Sequence, residues 1–76
     1  MNMTYTKIFI DNVYIILKNK NIKMADFEKE IQVSPGYLSR CKNGKKRISI
    51  DTALSICKYL DIDFETLIDP KLCFFF

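Results

Sequence analysis

The sequence predicts a single all-α domain made of five short helices. Apolar residues recur with helical spacing along almost all of the 76 residues, and no stretch alternates between apolar and polar residues as a strand does. Only two prolines and two glycines interrupt this pattern. An apolar fraction of 49% is sufficient for a packed core. Because a chain this short buries only about 60% of its unfolded surface, we expect marginal stability and a contribution from dimerisation.

The first two helices follow from the spacing of their apolar residues. The first is expected from about Thr6 to Lys20, and the second from about Met24 to Ile31. The buried face of the first helix has the i, i+4, i+7, i+8 spacing and consists of Phe9, Val13, Ile16 and Leu17.

The third helix is expected from Ser34 to about Asn43. Ser34 is a good N-cap, and Pro35 would occupy the first helical position, where its missing N–H costs nothing. Gly44 can adopt the left-handed conformation that ends a helix.

Two further helices complete the predicted domain, which spans residues 1–70. Ser49 is expected to cap the fourth helix after a loop from Lys45 to Ile48, and Asp63 to cap a short fifth helix that Pro70 helps to end. The fourth helix has an inward stripe made of Ile50, Ala53, Leu54, Cys57 and Leu60. Residues 71–76 form an apolar tail.

Composition argues against several classes of function. Apolar runs reach only five residues, as from Val13 to Leu17, and the amino end does not resemble a signal peptide, so a cytoplasmic protein is expected. No histidine, glycine-rich phosphate loop or clustered carboxylate pair indicates an enzyme. Cys41, Cys57 and Cys73 lack the spacing of a metal site, and Cys41 and Cys57 are interpreted as small core residues. We therefore expect no metal, cofactor or small-molecule ligand.

The twenty residues from Met24 to Asn43 have the pattern of a helix-turn-helix unit. About three residues, Gln32 to Ser34, join the second and third helices, which is too short a connection for an antiparallel pair. Such a unit needs apolar residues at its fourth, eighth, tenth, fifteenth and eighteenth places. In this chain they are Phe27, Ile31, Val33, Leu38 and Cys41.

At these residues the chain resembles the phage repressor and Cro type of helix-turn-helix domain, from Asn21 to Ile68. The resemblance rests on Val33-Ser34, Tyr37-Leu38-Ser39-Arg40, Asn43-Gly44-Lys45, Ile56, Leu60 and Phe64 to Ile68. It implies a five-helix fold whose third helix docks in the major groove of double-stranded DNA.

The chain departs from the family's pattern at four places. Gln32 stands where glycine is usual, and a left-handed non-glycine residue there costs about 1 kcal/mol. Glu28 replaces the usual alanine, and Met24 replaces a glutamine that reaches DNA. The usual arginine–glutamate pair is replaced by Leu17 and Lys42, and we expect the stem of Lys42 to lie on Leu17 with its ammonium in solvent.

The resemblance also indicates which side chains contact DNA. The base-reading positions are Pro35, Gly36, Ser39 and Arg40. Arg40 is the strongest candidate, because its guanidinium matches O6 and N7 of guanine. The predicted phosphate contacts are Tyr37, Lys42, Asn43, Lys45, Lys46 and Arg47. The alternative for each charged residue is an ordinary solvated side chain, and for Tyr37 it is packing on the surface.

These features favour a sequence-specific transcriptional regulator that binds a pseudo-palindromic operator as a homodimer. The tail from Leu72 to Phe76 is either a dimer contact, a flap on its own core or a disordered end. The rival interpretation is a protein-interaction module derived from the same fold, because Met24, Pro35 and Gly36 offer no hydrogen-bonding side chain at reading positions.

Overall fold

The computed structural model describes residues 4–72, which contain five helices and no strand. The helices are α1 (Thr4–Asn19), α2 (Met24–Glu30), α3 (Tyr37–Lys42), α4 (Ile50–Leu60) and α5 (Phe64–Leu67). The prediction of an all-α, five-helix fold is therefore confirmed. None of the helices in this part of the chain is long and apolar enough to cross a bilayer.

The helices enclose one hydrophobic core, with α1 packed against α3 and α5 and α4 packed against α5. The predicted inward face of α1 is correct, because all four of its residues are buried. The predicted stripe on α4 is partly wrong. Ala53 and Leu60 are buried and Cys57 is half-buried, whereas Ile50 and Leu54 are 78% and 51% exposed.

A buried asparagine joins the first helix to the end of the last. Asn12 is 3% exposed, and its Nδ2 donates to the carbonyl oxygen of Leu67 at 2.7 Å and to that of Asp69 at 2.9 Å. The Leu67 carbonyl belongs to the last residue of α5, where no further helical turn supplies a donor, and the Asp69 carbonyl also accepts the N–H of Leu72 at 3.1 Å. The Asn12 side chain therefore supplies a hydrogen-bond donor at the end of α5, a helix of four residues, and attaches that end to α1.

Helix ends follow the sequence-based expectations at several points. Ser49 caps α4, with its side chain accepting the N–H of Thr52. Gly44 is left-handed at φ 78°, and Gln32 takes the expected left-handed conformation at φ 62°. Asp63 lies at the N-cap of α5 as predicted, although its side chain makes no capping hydrogen bond.

The predicted start of the third helix is wrong. Ser34 does not cap α3, Pro35 is not its first residue, and the helix begins three residues later than Ser34, at Tyr37. The bounds of the first two helices differ less from the prediction. α1 begins at Thr4 and ends at Asn19, and α2 ends at Glu30.

The end of the described chain bears on the predicted tail. Leu72 is 6% exposed and belongs to the core, although the sequence placed it beyond the domain at residue 70. Cys73 and the three phenylalanines that follow lie outside the described residues. The three alternatives for this tail, a dimer contact, a flap and a disordered end, therefore all stay predictions.

The two described cysteines are free thiols. Cys41 is 2% exposed and lies in the core, and Cys57 is half-buried against it, as the sequence predicted. Burial raises the pKa of both thiols, and the charge of Asp63 raises that of Cys57 further. Within residues 4–72 no group of three potential metal ligands comes together.

Candidate nucleic-acid interface

The interior of the helix-turn-helix unit is packed as its sequence pattern requires. Phe27, Ile31, Leu38 and Cys41 are at most 9% exposed, and Val33 is half-buried against the same core. The chain leaves α2 through a Schellman motif, in which the N–H of Val33 binds the carbonyl of Glu28 and the N–H of Gln32 binds that of Lys29. The left-handed Gln32 therefore turns the chain from α2 toward α3.

Residues 34–37 form a type II turn that leads into α3. Gly36 has φ 81° and ψ 1°, values that this turn type requires at its third residue, and Pro35 supplies the fixed φ of the second. The N–H of Tyr37 donates to the carbonyl oxygen of Ser34 at 3.0 Å. A proline followed by glycine thus specifies a turn here, which explains why α3 starts at Tyr37 and not at Pro35.

Glu28 holds the beginning of α3 from inside the protein. Its side chain is buried, with the residue 5% exposed, and its two oxygens accept the N–H groups of Gly36 and Leu38, each at 3.2 Å. The sequence pattern indicated only that the helices must leave room for a longer side chain at this place. The packing instead uses the carboxylate as the cap of the neighbouring helix.

Arg40 lies on the outside of the same turn. Its Nη2 donates to Ser34 Oγ at 3.1 Å and its Nη1 to the carbonyl oxygen of Pro35 at 3.4 Å, and all three residues are exposed. A Cβ added to Gly36 would lie 3.3 Å from Nη1. The structure therefore brings three predicted base-reading residues together at the turn before α3, namely Pro35 and Arg40, which are exposed, and Gly36, which is half-buried. The fourth, Ser39, is exposed on α3.

Tyr37 is buried, unlike the other residues predicted to contact phosphate. It is 8% exposed, so the alternative of packing on the surface is wrong. Its hydroxyl oxygen accepts the N–H of Ser49 at 3.3 Å, and Lys46 Nζ lies 5.5 Å from the centre of its ring. A phosphate contact by this hydroxyl stays a prediction, whereas its observed contacts anchor the end of the loop that follows α3.

Lys42 points toward α1. Its Nζ lies 3.1 Å from an Asp11 carboxylate oxygen and 4.4 Å from the centre of the Tyr14 ring. The ammonium lies on the outside of the protein, as expected, but it is paired there with Asp11. A phosphate contact by Lys42 stays a prediction, and the ion pair with Asp11 would compete with it.

The loop after α3 carries a row of exposed cations. Lys45, Lys46 and Arg47 are all exposed, as is Asn43 before them. Another Schellman motif starts the loop, because the N–H of Lys45 donates to the carbonyl of Arg40 and that of Gly44 to the carbonyl of Cys41. Within residues 4–72 the ion pairs involve Lys7, Lys42 and Asp11, so the loop cations have no acidic partner there.

Comparison with known families agrees with this geometry. The family model described as the Cro/C1-type HTH DNA-binding domain matches residues 12–71, which include all of α2 to α5 and the second half of α1. Neither a curated protein nor a solved structure gives a significant match.

Proposed function

The chain belongs to the Cro/C1-type helix-turn-helix DNA-binding domain family, a family of non-enzymatic DNA-binding domains. From this we propose that it is a sequence-specific transcriptional regulator, acting in the cytoplasm as a homodimer on a pseudo-palindromic operator, with α3 as the reading helix. The proposal needs no cofactor and no small-molecule ligand.

One observation carries this proposal: the exposed end of α3 lies in the same unit as an exposed row of loop cations. Pro35, Ser39 and Arg40 are exposed, and the Arg40 side chain contacts the turn before α3 through Ser34 and Pro35. A helix of this size fits the major groove, and its first residues reach base edges. Arg40 would then read a guanine, Ser39 would bond to a base edge and Pro35 would contact a thymine methyl group.

The loop supplies the attraction to the DNA backbone. Lys45, Lys46 and Arg47 follow α3 directly, and Tyr37 holds the far end of the loop through Ser49. Cations beside the reading helix neutralise phosphates, and release of counterions from those phosphates provides much of the affinity. Asn43 would add an amide contact to a phosphate at the end of α3.

The dimeric part of the proposal is supported by an apolar groove of about 430 Å³. The groove lies among α1, α4 and α5, and its exposed apolar side chains are Tyr5, Ile50, Leu54 and Phe64. We propose that a second copy of the chain occupies it, because one short reading helix gives few base contacts and two copies double them. Its lining residues Ile48 to Ile50 directly follow the loop cations, so pairing here keeps both basic loops beside the contact.

A two-stage binding experiment tests the proposal. The protein is first used to select duplexes from a randomised pool, and anisotropy titrations then compare the selected duplex with a shuffled one at low and moderate salt. We expect an enriched motif with two related half-sites, tighter binding of the selected duplex, and a loss of affinity with salt. Sedimentation is expected to show a dimer that Leu54→Asp converts to a monomer.

The groove also favours a second candidate function, a protein-interaction module. In that case the same apolar side chains would contact a different protein, and α3 would read little DNA sequence because Pro35 and Gly36 lack hydrogen-bonding side chains. Selection that enriches no motif, together with equal affinity for selected and shuffled duplexes, would contradict the regulator and favour this candidate.

A further inference from the structure

The two hydrogen bonds that Glu28 makes join α2 to the first turn of α3. Glu28 is 5% exposed and is one of two buried polar or charged residues among those described. Oε1 accepts from the N–H of Gly36 and Oε2 from that of Leu38, so one carboxylate binds on both sides of Tyr37. The N–H of Tyr37 itself donates to Ser34.

These contacts supply hydrogen-bond acceptors for the N–H groups at the start of α3. The first N–H groups of any helix have no partner within it, and Gly36, at the N-cap, has no side chain with which to cap them. Ser34, which the sequence suggested as the cap, uses its hydroxyl oxygen to accept from Arg40. An ionised carboxylate is a strong acceptor, and negative charge is favoured at this end of a helix.

The reading end of α3 is therefore held from two sides. Glu28 binds the turn from the buried side, and Arg40 binds the carbonyl of Pro35 and the hydroxyl of Ser34 on the exposed side. Because Glu28 uses both oxygens, α3 has little freedom to rotate or slide relative to α2. This arrangement, together with the packing of α3 on α1, sets the position of Pro35, Gly36 and Arg40 on the protein surface.

We propose that Glu28 is a positioning residue for DNA reading: its carboxylate fixes the angle at which α3 presents Arg40 to the bases. This inference rests on the proposed function. It assigns to Glu28 a role in discrimination between DNA sequences, which is separate from the attraction of the loop cations to phosphate. A loosened α3 keeps those cations and loses the alignment that a two-bond contact to guanine requires.

The test compares Glu28→Ala and Glu28→Gln with Glu30→Ala. The control removes an equal charge from an exposed position of the same helix. Glu28→Ala loses both bonds, and Glu28→Gln keeps one acceptor oxygen. For each variant, thermal unfolding gives the folded fraction. The readout is the ratio of affinities, per folded molecule, for the duplex that the unmodified protein selects from a randomised pool and for a shuffled duplex.

We expect Glu28→Ala to lower this ratio about tenfold, which corresponds to the loss of one two-bond base contact. Glu28→Gln should lower it less, Glu30→Ala should leave it unchanged, and all should bind the shuffled duplex as the unmodified protein does. A purely structural role would change the folded fraction but not the ratio. If Glu28→Ala does not fold, Glu28→Gln decides.

The two proposals fail in different ways. Unchanged discrimination in the folded Glu28 variants, beside clear discrimination by the unmodified protein, overturns the positioning role and leaves the regulator intact. If the unmodified protein itself does not discriminate, the proposed function fails and the role of Glu28 in reading fails with it.

Discussion

Replacement of Lys45 and Arg47 by alanine removes two exposed cations from the loop that follows the reading helix. Neither side chain forms an ion pair within residues 4–72, so the free energy of unfolding should change by no more than about 0.5 kcal/mol. Lys46 is kept, because its contact with the buried Tyr37 ring at 5.5 Å couples it to the folded loop. The main effect of the double variant is therefore expected on the affinity for DNA and not on the stability of the fold.

The magnitude follows from the number of phosphates that the two cations neutralise. Each phosphate contributes about 0.9 to the slope of log affinity against log salt concentration, so loss of two contacts reduces the slope by about 1.8 per subunit. Affinity for shuffled and selected duplexes should fall together, because phosphate contacts carry no sequence information.

Anisotropy titrations over a salt series measure this slope directly. Lys58→Ala is the matched control for one lost charge, because Lys58 is exposed on α4 and lines a depression together with Asp61 and Asp63. An unchanged slope in the double variant, or an equal reduction in the Lys58 control on a per-charge basis, would refute the assignment of this loop to the DNA backbone.

Three further predictions concern the stability of the fold and are checked by chemical or thermal unfolding. Gln32→Gly should raise the free energy of unfolding by up to about 1 kcal/mol, because glycine adopts the left-handed φ of 62° without strain; a loss of stability would contradict this. Asn12→Ala should lower it by about 1–3 kcal/mol, because the buried carbonyl of Leu67 loses its donor while that of Asp69 keeps the N–H of Leu72; an effect no larger than that of an exposed asparagine, such as Asn19→Ala, would show that the bonds are unimportant. Burial raises the pKa of the Cys41 thiol, so its contribution to stability is complete below the unfolded value of 9.0 and is lost as pH rises above it. Cys41→Ala should weaken that alkaline loss, and an identical pH profile would exclude the thiol as its cause.

The order of the helices and the interior of the helix-turn-helix unit were predictable because they depend on local spacing. Phe27, Leu38 and Cys41 occupy their expected buried places, and the left-handed Gln32 and Gly44 follow from the need to reverse the chain after a helix. These features require only a helical period and the chemistry of helix ends.

The start of α3 was mispredicted because two local rules compete at the same residues. Ser34 followed by Pro35 resembles a helix cap with proline at the first position, whereas Pro35 followed by Gly36 is the sequence of a type II turn. The turn forms because Glu28 supplies the cap from another helix. An acidic residue at a place that must be buried was the available signal that a partner N–H lay nearby.

The sequence analysis expected Lys42 to lie against the first helix at Leu17, but its pairing with Asp11 and Tyr14 depends on tertiary packing. Asp11 is separated from it by 31 residues, and only the packing of α1 on α3 brings the two together with Tyr14. The apolar groove has the same origin, because the spacing on α4 gave no reason to expect Ile50 and Leu54 outside the core.

Nuclear magnetic resonance titration of the isotope-labelled protein with the selected duplex tests the central claim most directly, since it reports on every backbone N–H at once. The account predicts the largest shifts at Gly36, Ser39 and Arg40, with further shifts from Lys45 to Arg47 that persist at moderate salt. Shifts concentrated instead around Leu54 and Phe64, with the turn before α3 unaffected, would contradict it.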